Sequence, residues 1–497
     1  MATLALCVLQ TLLTFHAGTP EPVRFGVPLP AKGVARGLRL EDQDGAQFQW
    51  RQLQVRPDPV HGTVWVELVV AGASGSARVC SGGTGPSPDG GSLVRVEREE
   101  SLCDGGVQLQ VERWHHACGR TETRTRRLFL RTTEHEGETY RAGEALLDWD
   151  EDWLRRRLAV RVPRSAWERA GLVPPDQGIA AAHRSLLVAT APALVELPGR
   201  RGAGDYGRSR GVVTNLEYDT ALGWLRMHFA TGDPECLARA WRCARHTLDR
   251  DLDRHTGLPH AHGTDHRSGR PEPGHTWLTG MLWVGLATGD DQLVAGAGAV
   301  ARALAAHPPD GEGEHDRARD HAWPLAELEA WLAHADDPVC ARAADQLADA
   351  IVHRLDPAFG MLRFGESEVE GPSPLERAWV TGGIVLPALR QHLVRNPRES
   401  VSRVVRELER SLVEQLLRCE PGLPILWHAG ARGPHGVHRA VADPRGWLML
   451  EGLSLVDLRR VLARPAVRRG LGELPNLMDP DLATTFSMLA RTRWVWR

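Results

Sequence analysis

Lysine is almost missing from this chain. It occurs once among 497 residues, at Lys32, and arginine supplies the remaining basic charge. The formal net charge is -3. A chain without an excess of basic residues has no electrostatic basis for binding a phosphate backbone. The sequence therefore predicts no nucleic-acid partner.

Long apolar runs and closely paired cysteines are also missing. No run of about eighteen apolar residues occurs, so the sequence predicts no membrane span. The eight cysteines contain no Cys-x-x-Cys pair, and a zinc–thiolate site is not indicated. Residues 1–14 are apolar but lack a basic segment, which favours a cytoplasmic location over a secreted one.

Tyrosine is scarce, with three copies against 17 tryptophans. Two of the three, Tyr206 and Tyr218, lie in the segment 204–290. The same segment contains a group of six histidines, at positions 246, 255, 260, 262, 266 and 275. Histidine exchanges protons near neutral pH, and tyrosine can donate or accept a proton where its pKa is tuned. This concentration makes the segment 204–290 the candidate site.

The hydrophobic patterns divide the chain into a β part and a helical part. Before residue 200, short alternating runs separated by Gly, Pro and Asp predict strands. From Gly204 onward, a similar short pattern recurs at 230–235, 287–292, 333–338 and 394–399. Each time it is predicted to end one helix and cap the next. A repeat of about fifty residues is typical of helical hairpins stacked into an (α/α) toroid. The sequence thus predicts a multidomain β + α protein.

Three helix starts are predicted within the candidate segment. Asn215 is a plausible N-cap for a helix that ends at Gly232, and Asp233-Pro234 begins the next. On that helix Asn215, Tyr218 and Asp219 would share a face, and Glu217 would point away from it. A further helix is predicted to begin near His275 and to end at Gly289.

Several motifs together resemble the exo-rhamnogalacturonan lyase-like family. They are Asp205-Tyr206-Gly207, the run 215–219, the pair His260-x-His262, the run 274–280, FGVPLP (Phe25–Pro30) and the run 319–325. The resemblance implies an N-terminal small β-barrel-like domain (1–75), a middle β-sandwich-like domain (76–203) and an (α/α) toroid carrying the catalytic site (204–497). The segment 56–65 and the absence of lysine after position 32 depart from the family, which leaves another uronide substrate open.

The resemblance implies β-elimination at a uronic acid of an acidic polysaccharide or oligosaccharide, without a cofactor. This reaction requires neutralisation of the carboxylate, abstraction of the C5 proton and protonation of the leaving oxygen. Arginine suits the first task, and histidine or tyrosine suits the others. The expected catalytic residues are Tyr218, His275 and His262. The expected substrate-binding residues are Asn215, Asp219, Tyr206, His266, Arg267, Trp277, Arg319, Trp323 and Arg377.

Two other classes of function stay open at this point. A glycoside hydrolase would need two separated carboxyl groups, for which Asp205, Glu217, Asp219 and Asp265 are candidates. A non-catalytic protein could bind polysaccharide along a cleft lined with tryptophan. His260, His262 and either His266 or His275 could bind zinc in principle, but no carboxylate or cysteine partner is evident, and we predict no metal.

Overall fold

A computed structural model describes most of the strands and helices of the chain. The residues described are 10–15, 23–42, 46–53, 62–73, 75–83, 93–103, 105–116, 121–135, 138–143, 145–148, 154, 157–170, 172, 194, 196–197, 203–206, 208–209, 212–309, 318–357, 360–363, 376, 378–418, 428–429, 437–438, 450–465 and 486–487.

The N-terminal part forms two antiparallel sheets. Its strands are β1 (Gln10–Phe15), β2 (Val23–Pro30), β3 (Leu38–Glu41), β4 (Gln47–Gln52), β5 (Thr63–Ala71) and β6 (Gly75–Ser81). Strand β5 lies between β2 and β4, with Phe25 opposite Leu68. All nine residues of β5 are buried, as expected of a sheet covered on both faces.

The second N-terminal sheet recruits a strand from much later in the chain. Its order is β13-β1-β6-β3, where β13 is Val160–Arg161 and pairs with Phe15 of β1. Both sheets are open, because each edge strand has one neighbour among the described residues. Among the described residues, the strands of residues 1–75 are shared between these two open sheets, so the expected barrel is not confirmed.

The middle part contains a four-stranded antiparallel sheet in the order β12-β9-β8-β7. Its strands are β7 (Leu93–Cys103), β8 (Val107–His116), β9 (Thr121–Phe129) and β12 (Ala145–Asp148), with a small hairpin of β10 (Thr133–His135) and β11 (Glu138–Tyr140) beside it. Phe129 stacks on Tyr140 at 4.2 Å between ring centroids. The third tyrosine of the chain thus serves this sheet's small core. A second layer, as in the expected sandwich, is not present among the described strands.

The helical part consists of hairpins. The helices of the described chain are α1 (Ala31–Val34), α2 (Arg164–Arg169), α3 (Thr220–Thr231), α4 (Pro234–His246), α5 (Thr279–Thr288), α6 (Asp291–Ala306), α7 (Ala318–His334), α8 (Pro338–His353), α9 (Ala378–Val380), α10 (Leu386–Arg395), α11 (Glu399–Arg418) and α12 (Leu455–Leu462). Helices α3, α5, α7 and α10 pack side by side, and each contacts the helix that follows it. Whether these hairpins make a full toroid stays a prediction.

The predicted pattern that ends the first helix of a hairpin and caps the second is confirmed. Helix α3 ends at Gly232, whose left-handed backbone (φ 74°) closes the helix. Asp233 then caps α4 by accepting a hydrogen bond from the Glu235 amide at 2.9 Å. Asp290 and Asp337 cap α6 and α8 in the same way. These signals are local in the sequence, so they could be predicted without the fold.

Two of the three helix starts predicted in the candidate segment need correction, those at Asn215 and near His275. Helix α3 begins at Thr220 with Asp219 as its N-cap, so Asn215 does not cap it. The helix expected near His275 begins at Thr279, after a short 3₁₀ turn at Pro273–His275. None of the described helices has the length and apolar character needed to cross a membrane.

Charged side chains join the β part to the hairpins. Arg24 of β2 binds Glu67 of β5 and donates to Asp291 Oδ1 at 2.6 Å. Arg51 binds the same two carboxylates at 2.9 and 3.1 Å. Beside this network β2 lies so close to the end of α5 that a Cβ at Gly26 would meet the Leu286 carbonyl oxygen at 1.9 Å. One hydrophobic core runs through both parts.

Candidate functional site

An unusual turn precedes helix α3. Asn215, Leu216, Tyr218 and Asp219 all have positive φ, between 46° and 66°. The left-handed region is unfavourable for residues other than glycine and costs on the order of 1–3 kcal/mol per residue. Such strain persists only where surrounding contacts hold it, and it is concentrated at functional sites. The turn brings Glu217 close to His262 and places Tyr218 against Trp277 and Trp323.

The side chains of Asn215 and Asp219 hold the turn in place. Asn215 donates through Nδ2 to the carbonyls of His260 and Ala261, both at 2.9 Å. Asp219 Oδ1 accepts from the Leu222 amide at 3.1 Å, and Oδ2 accepts from the Gly280 amide at 2.7 Å. Asp219 thus caps α3 and binds the first turn of α5 at once. Both of its carboxylate oxygens are engaged in positioning the backbone.

An aromatic cluster lies beside the turn. Tyr218 is 5.8 Å from Trp277 and 6.0 Å from Trp323 between ring centroids, and the two tryptophans are 6.4 Å apart. His275 extends the cluster, with its ring 6.0 Å from Trp277. The three aromatic side chains are buried at 5–8% exposure, so they form a wall behind the polar groups. Trp277 Nε1 is buried and has no hydrogen-bond partner in the part of the chain that the structure describes.

Glu217, His262 and His275 form a polar group at the end of this wall, which we call the outer triad. Glu217 Oε2 is 3.4 Å from His262 Nε2, and Oε1 is 4.0 Å from His275 Nε2. The two imidazole rings are 5.1 Å apart and nearly perpendicular. Glu272 Oε2 lies 2.9 Å from the other ring nitrogen of His275, Nδ1. The side chain of His262 is 35% exposed, so a ligand can reach the outer triad.

The charge of His262 depends on Glu217. The hydrogen bond with Glu217 raises the pKa of His262, burial opposes the rise, and the negative charges of Glu217 and Glu272 add to it. Arg319 acts against the charge on His262, which places this arginine within electrostatic reach of the outer triad. His262 is therefore protonated to a higher pH than an ordinary histidine.

A second polar group is more deeply buried than the outer triad. We call its members, Asp205, His246, Asp251 and His266, the inner cluster. His246 Nε2 is 3.1 Å from His266 Nδ1 and 3.2 Å from Asp251 Oδ1. His266 Nδ1 is 3.3 Å from Asp251 Oδ1 and 3.7 Å from Asp205 Oδ2. The side chains of Asp205, His246 and Asp251 are wholly buried, and that of His266 is 16% exposed.

Burial and mutual attraction set the charges of the inner cluster. Burial disfavours the charge on His246, but Asp251 outweighs this effect and raises the pKa of His246 to about 9. Burial likewise opposes ionisation of Asp251, but the attraction and hydrogen bond of His246 lower its pKa to about 2. Burial raises the pKa of Asp205 to about 6. The inner cluster thus contains two buried charged groups near neutral pH, protonated His246 and ionised Asp251.

The remaining predicted site residues are spread over different surroundings. Tyr206 packs in the core against Trp224 at 5.8 Å, and burial raises its pKa. His266 belongs to the inner cluster, whereas Arg267 donates through Nε to the Arg250 carbonyl at 3.3 Å. Arg319 Nε lies 3.4 Å from Asp320. Arg377 lies outside the described residues.

Sequence reasoning missed the carboxylates that accompany the histidines. Glu217 was expected to point away from Tyr218, because helical geometry was assumed for the segment 215–219. The left-handed turn brings Glu217 to His262 instead. Asp251 and Glu272 are spaced from the histidines without a recognisable motif. Their proximity comes from how the 260–271 loop folds back, which no local signal reveals.

Comparison with known proteins gives likeness at low identity. No family model matches the chain, and no curated protein matches it significantly. Among solved structures, a polysaccharide lyase has a TM-score of 0.42 and 14% identity over 64% of this chain and 98% of its own. A family 76 glycoside hydrolase from a bovine Bacteroides thetaiotaomicron strain has a TM-score of 0.44 and 9% identity over 97% and 98%. An unsaturated glucuronyl hydrolase specific for heparin has a TM-score of 0.39 and 14% identity over 74% and 90%. Likeness at this level does not assign a reaction to this chain.

Proposed function

We propose that the outer triad and the aromatic wall bind an acidic sugar and cleave a uronic-acid-containing polysaccharide or oligosaccharide by β-elimination. The observation that carries the proposal is the position of Tyr218, next to Trp277 and Trp323, with His275 on the far side of Trp277 and His262 beside His275. Aromatic faces bind sugar rings, and the polar group beside them offers proton donors and acceptors. A pectin-like or rhamnogalacturonan-like chain is the substrate that the sequence resemblance suggests.

The proposed reaction assigns one task to each side chain. Protonated His262, with Arg319 nearby, neutralises the uronate carboxylate and so acidifies the C5 proton. His275 accepts that proton at Nε2, and the negative charge of Glu272, 2.9 Å from Nδ1, stabilises the imidazolium that forms. The electrons of the C5–H bond form the C4=C5 double bond as the C4–O bond breaks. The Tyr218 hydroxyl gives its proton to the leaving oxygen, and solvent restores both groups.

The carboxylates favour elimination over hydrolysis. A glycoside hydrolase needs two carboxyl groups that both face the scissile bond. Asp219 uses both oxygens for backbone amides, and Asp205 is wholly buried in the inner cluster. Asp265 accepts from the Arg267 amide at 2.9 Å within its own loop. Of the four candidates, Glu217 alone stands beside the aromatic wall, and it pairs with histidine.

The test is an absorbance screen of the purified protein against a panel of uronic-acid polysaccharides and their oligosaccharides. Elimination creates a 4,5-unsaturated uronide that absorbs in the ultraviolet, whereas hydrolysis creates reducing ends without that absorbance. We expect the unsaturated product. New reducing ends without absorbance would favour the hydrolase, and binding without either product would favour a polysaccharide-binding protein.

A pair of histidine variants locates the activity. His275→Gln removes the proposed base, and we expect it to lower turnover by roughly 10²–10⁴-fold. The control is His255→Gln, which changes an exposed histidine of the same segment and should leave turnover unchanged. Equal turnover in the two variants would exclude the proposed role of His275.

A further inference from the structure

We propose that the inner cluster is a binding site for one divalent transition-metal ion, with zinc the best match. Its ligands would be His246 Nε2, His266 Nδ1, one oxygen of Asp251 and one of Asp205. This site is separate from the outer triad, and the inference does not depend on the proposed lyase activity.

The distances among the donor atoms have the spacing of a coordination shell. Zinc binds nitrogen at about 2.0–2.1 Å and carboxylate oxygen at about 2.0–2.2 Å in a tetrahedron, which places neighbouring donors roughly 3.3–3.5 Å apart. His246 Nε2, His266 Nδ1 and Asp251 Oδ1 are 3.1, 3.2 and 3.3 Å from one another. They therefore form one nearly equilateral face. Asp205 Oδ2, at 3.7 Å from His266 Nδ1, provides the fourth donor.

Hydrogen bonds alone do not account for this arrangement. Even if His246 Nε2 and His266 Nδ1 each carry a proton and donate it to Asp251 Oδ1, the two nitrogens still face each other at 3.1 Å without an acceptor between them. Among the described residues, two buried carboxylate oxygens, Asp205 Oδ2 and Asp251 Oδ2, have no hydrogen-bond partner. Both residues are 0% exposed. Buried, unpaired carboxylate oxygens are costly unless a cation or a donor meets them.

Hydrogen bonds with the surrounding backbone orient the donor atoms, as they do around the ligands of metal sites. His246 Nδ1 donates to the Ala203 carbonyl at 2.8 Å, so Nε2 faces the cluster, and a metal ion that displaces the proton of Nε2 would bind its lone pair. The Tyr206 amide donates to Asp205 Oδ1 at 2.7 Å, which turns Oδ2 toward His266. The ligands are thus held with their free atoms pointing inward.

The donor set favours a transition metal over calcium or magnesium. Imidazole nitrogen suits Zn²⁺, Ni²⁺ and Cu²⁺, whereas Ca²⁺ and Mg²⁺ prefer shells made of oxygen. Two imidazoles with two carboxylates are compatible with tetrahedral zinc. The ion would link three segments: residues 203–206, the end of α4 with the following turn (Thr247–Asp251), and the 260–271 loop. It would thereby fix the loop that carries His262.

The experiment measures metal content and uses the full chain. Purified protein is stripped with a chelator, equilibrated with a small excess of Zn²⁺, desalted and analysed by elemental mass spectrometry. We expect one zinc per chain in the wild type and less than a fifth of that in His266→Gln. Two matched variants, His255→Gln and His262→Gln, should each retain one zinc, because neither histidine belongs to the inner cluster.

A second measurement keeps the inference testable if the variant at position 266 does not fold. Adding Zn²⁺ to the stripped wild-type protein should raise its unfolding midpoint, with saturation at one equivalent. Co²⁺ in place of Zn²⁺ should give the visible absorption of a four-coordinate site. A wild type that takes up no metal and shows no shift in midpoint would overturn the inference. So would a loss of zinc in His262→Gln with retention in His266→Gln, which would move the site to the outer triad.

Discussion

Tyr218 has a backbone conformation that tyrosine seldom adopts, and its ring packs against Trp277 and Trp323. Its φ of 61° is stabilised by its neighbours in the turn, since Asn215 anchors one end and Asp219 the other. A position maintained against local strain restricts the ring to one orientation. In the proposed reaction, a hydroxyl fixed in this way would meet the leaving oxygen without a search among rotamers.

Tyr218→Phe removes the hydroxyl and keeps the ring. Because Phe can pack against Trp277 and Trp323 as Tyr does, we expect an unchanged unfolding midpoint and a turnover lowered by roughly 10²–10⁴-fold. The matched control is Tyr206→Phe, in which the lost hydroxyl is buried in the core beside Trp224. Circular dichroism and initial rates on the cleaved substrate measure the two effects. Wild-type turnover in Tyr218→Phe would reduce this tyrosine to a packing role.

Glu217→Gln should change the titration of His262. Glu217 raises the pKa of His262, so the wild-type imidazole keeps its proton to a higher pH than the variant's. If protonated His262 neutralises the uronate, the alkaline limb of kcat/KM shifts to lower pH in Glu217→Gln. Histidine NMR titration measures the same shift without substrate, with the His262 signal identified by its loss in His262→Gln. An unchanged pKa of His262 contradicts the pairing, and Glu399→Gln, at an exposed ion pair of α11, serves as the control.

Among the elements, buried carboxylates tie one hairpin to the next. Asp219 joins the start of α3 to that of α5, and Glu327 of α7 accepts hydrogen bonds from the Leu278 and Thr279 amides at 2.9 and 2.8 Å. Glu376 accepts from the Ala318 amide at 3.1 Å and so holds the start of α7. The starts of α3, α5 and α7 thus each depend on a carboxylate that lies outside the helix or is shared with another helix. These contacts fix the starts of α3 and α5 in relation to each other and to α7.

Asp219→Ala tests this linkage. The variant loses the N-cap of α3 and leaves the Gly280 amide buried without an acceptor, so we expect the free energy of unfolding to fall by about 2–4 kcal/mol. Asp233→Ala removes an exposed cap that serves α4 alone and should cost about 1 kcal/mol. Chemical denaturation of both variants measures the difference. Equal losses would mean that Asp219 acts as an ordinary cap.

The extent to which the helices could be predicted follows from where their signals lie. Asp233-Pro234 and Gly289-Asp290 are adjacent residues with local effects, and both predicted boundaries are confirmed. Asn215 was misassigned because it has the side chain of a cap, but the contact between Asp219 and Gly280 moves the helix start four residues later. The same contact is invisible in the sequence, since 61 residues separate its partners. The pairing of Glu217 with histidine was missed because the segment 215–219 was assumed to be helical, which would point Glu217 away from Tyr218.

In the whole molecule, residues from the far ends of the chain meet at the first hairpin. Strand β2 packs against α5, and Phe486 near the C-terminus lies 4.8 Å from Trp224 of α3 between ring centroids. Ser487 Oγ and Thr220 Oγ1 are 2.7 Å apart. Phe486 and Ser487 therefore contact the beginning of helix α3, next to the turn that carries Tyr218. The sequence offered no clear reading of the last 24 residues, because a contact of this range leaves no periodic pattern.

Phe486→Ala should show that this contact stabilises the whole helical part. Phe486 is 0% exposed and Trp224 is 2% exposed, so the substitution leaves a cavity against α3. Truncation of a buried Phe typically costs about 3–5 kcal/mol, and we expect a loss of that size in the free energy of unfolding. The control, Leu102→Ala, changes a side chain that is 74% exposed on β7 and should shift stability by no more than about 0.5 kcal/mol. Because Thr220 begins the helix directly after the turn 215–219, the cavity should also weaken substrate binding at Tyr218, measured as a higher KM in the folded variant. A free energy of unfolding close to that of the wild type would mean that the contact of Phe486 with α3 does not stabilise the helical part.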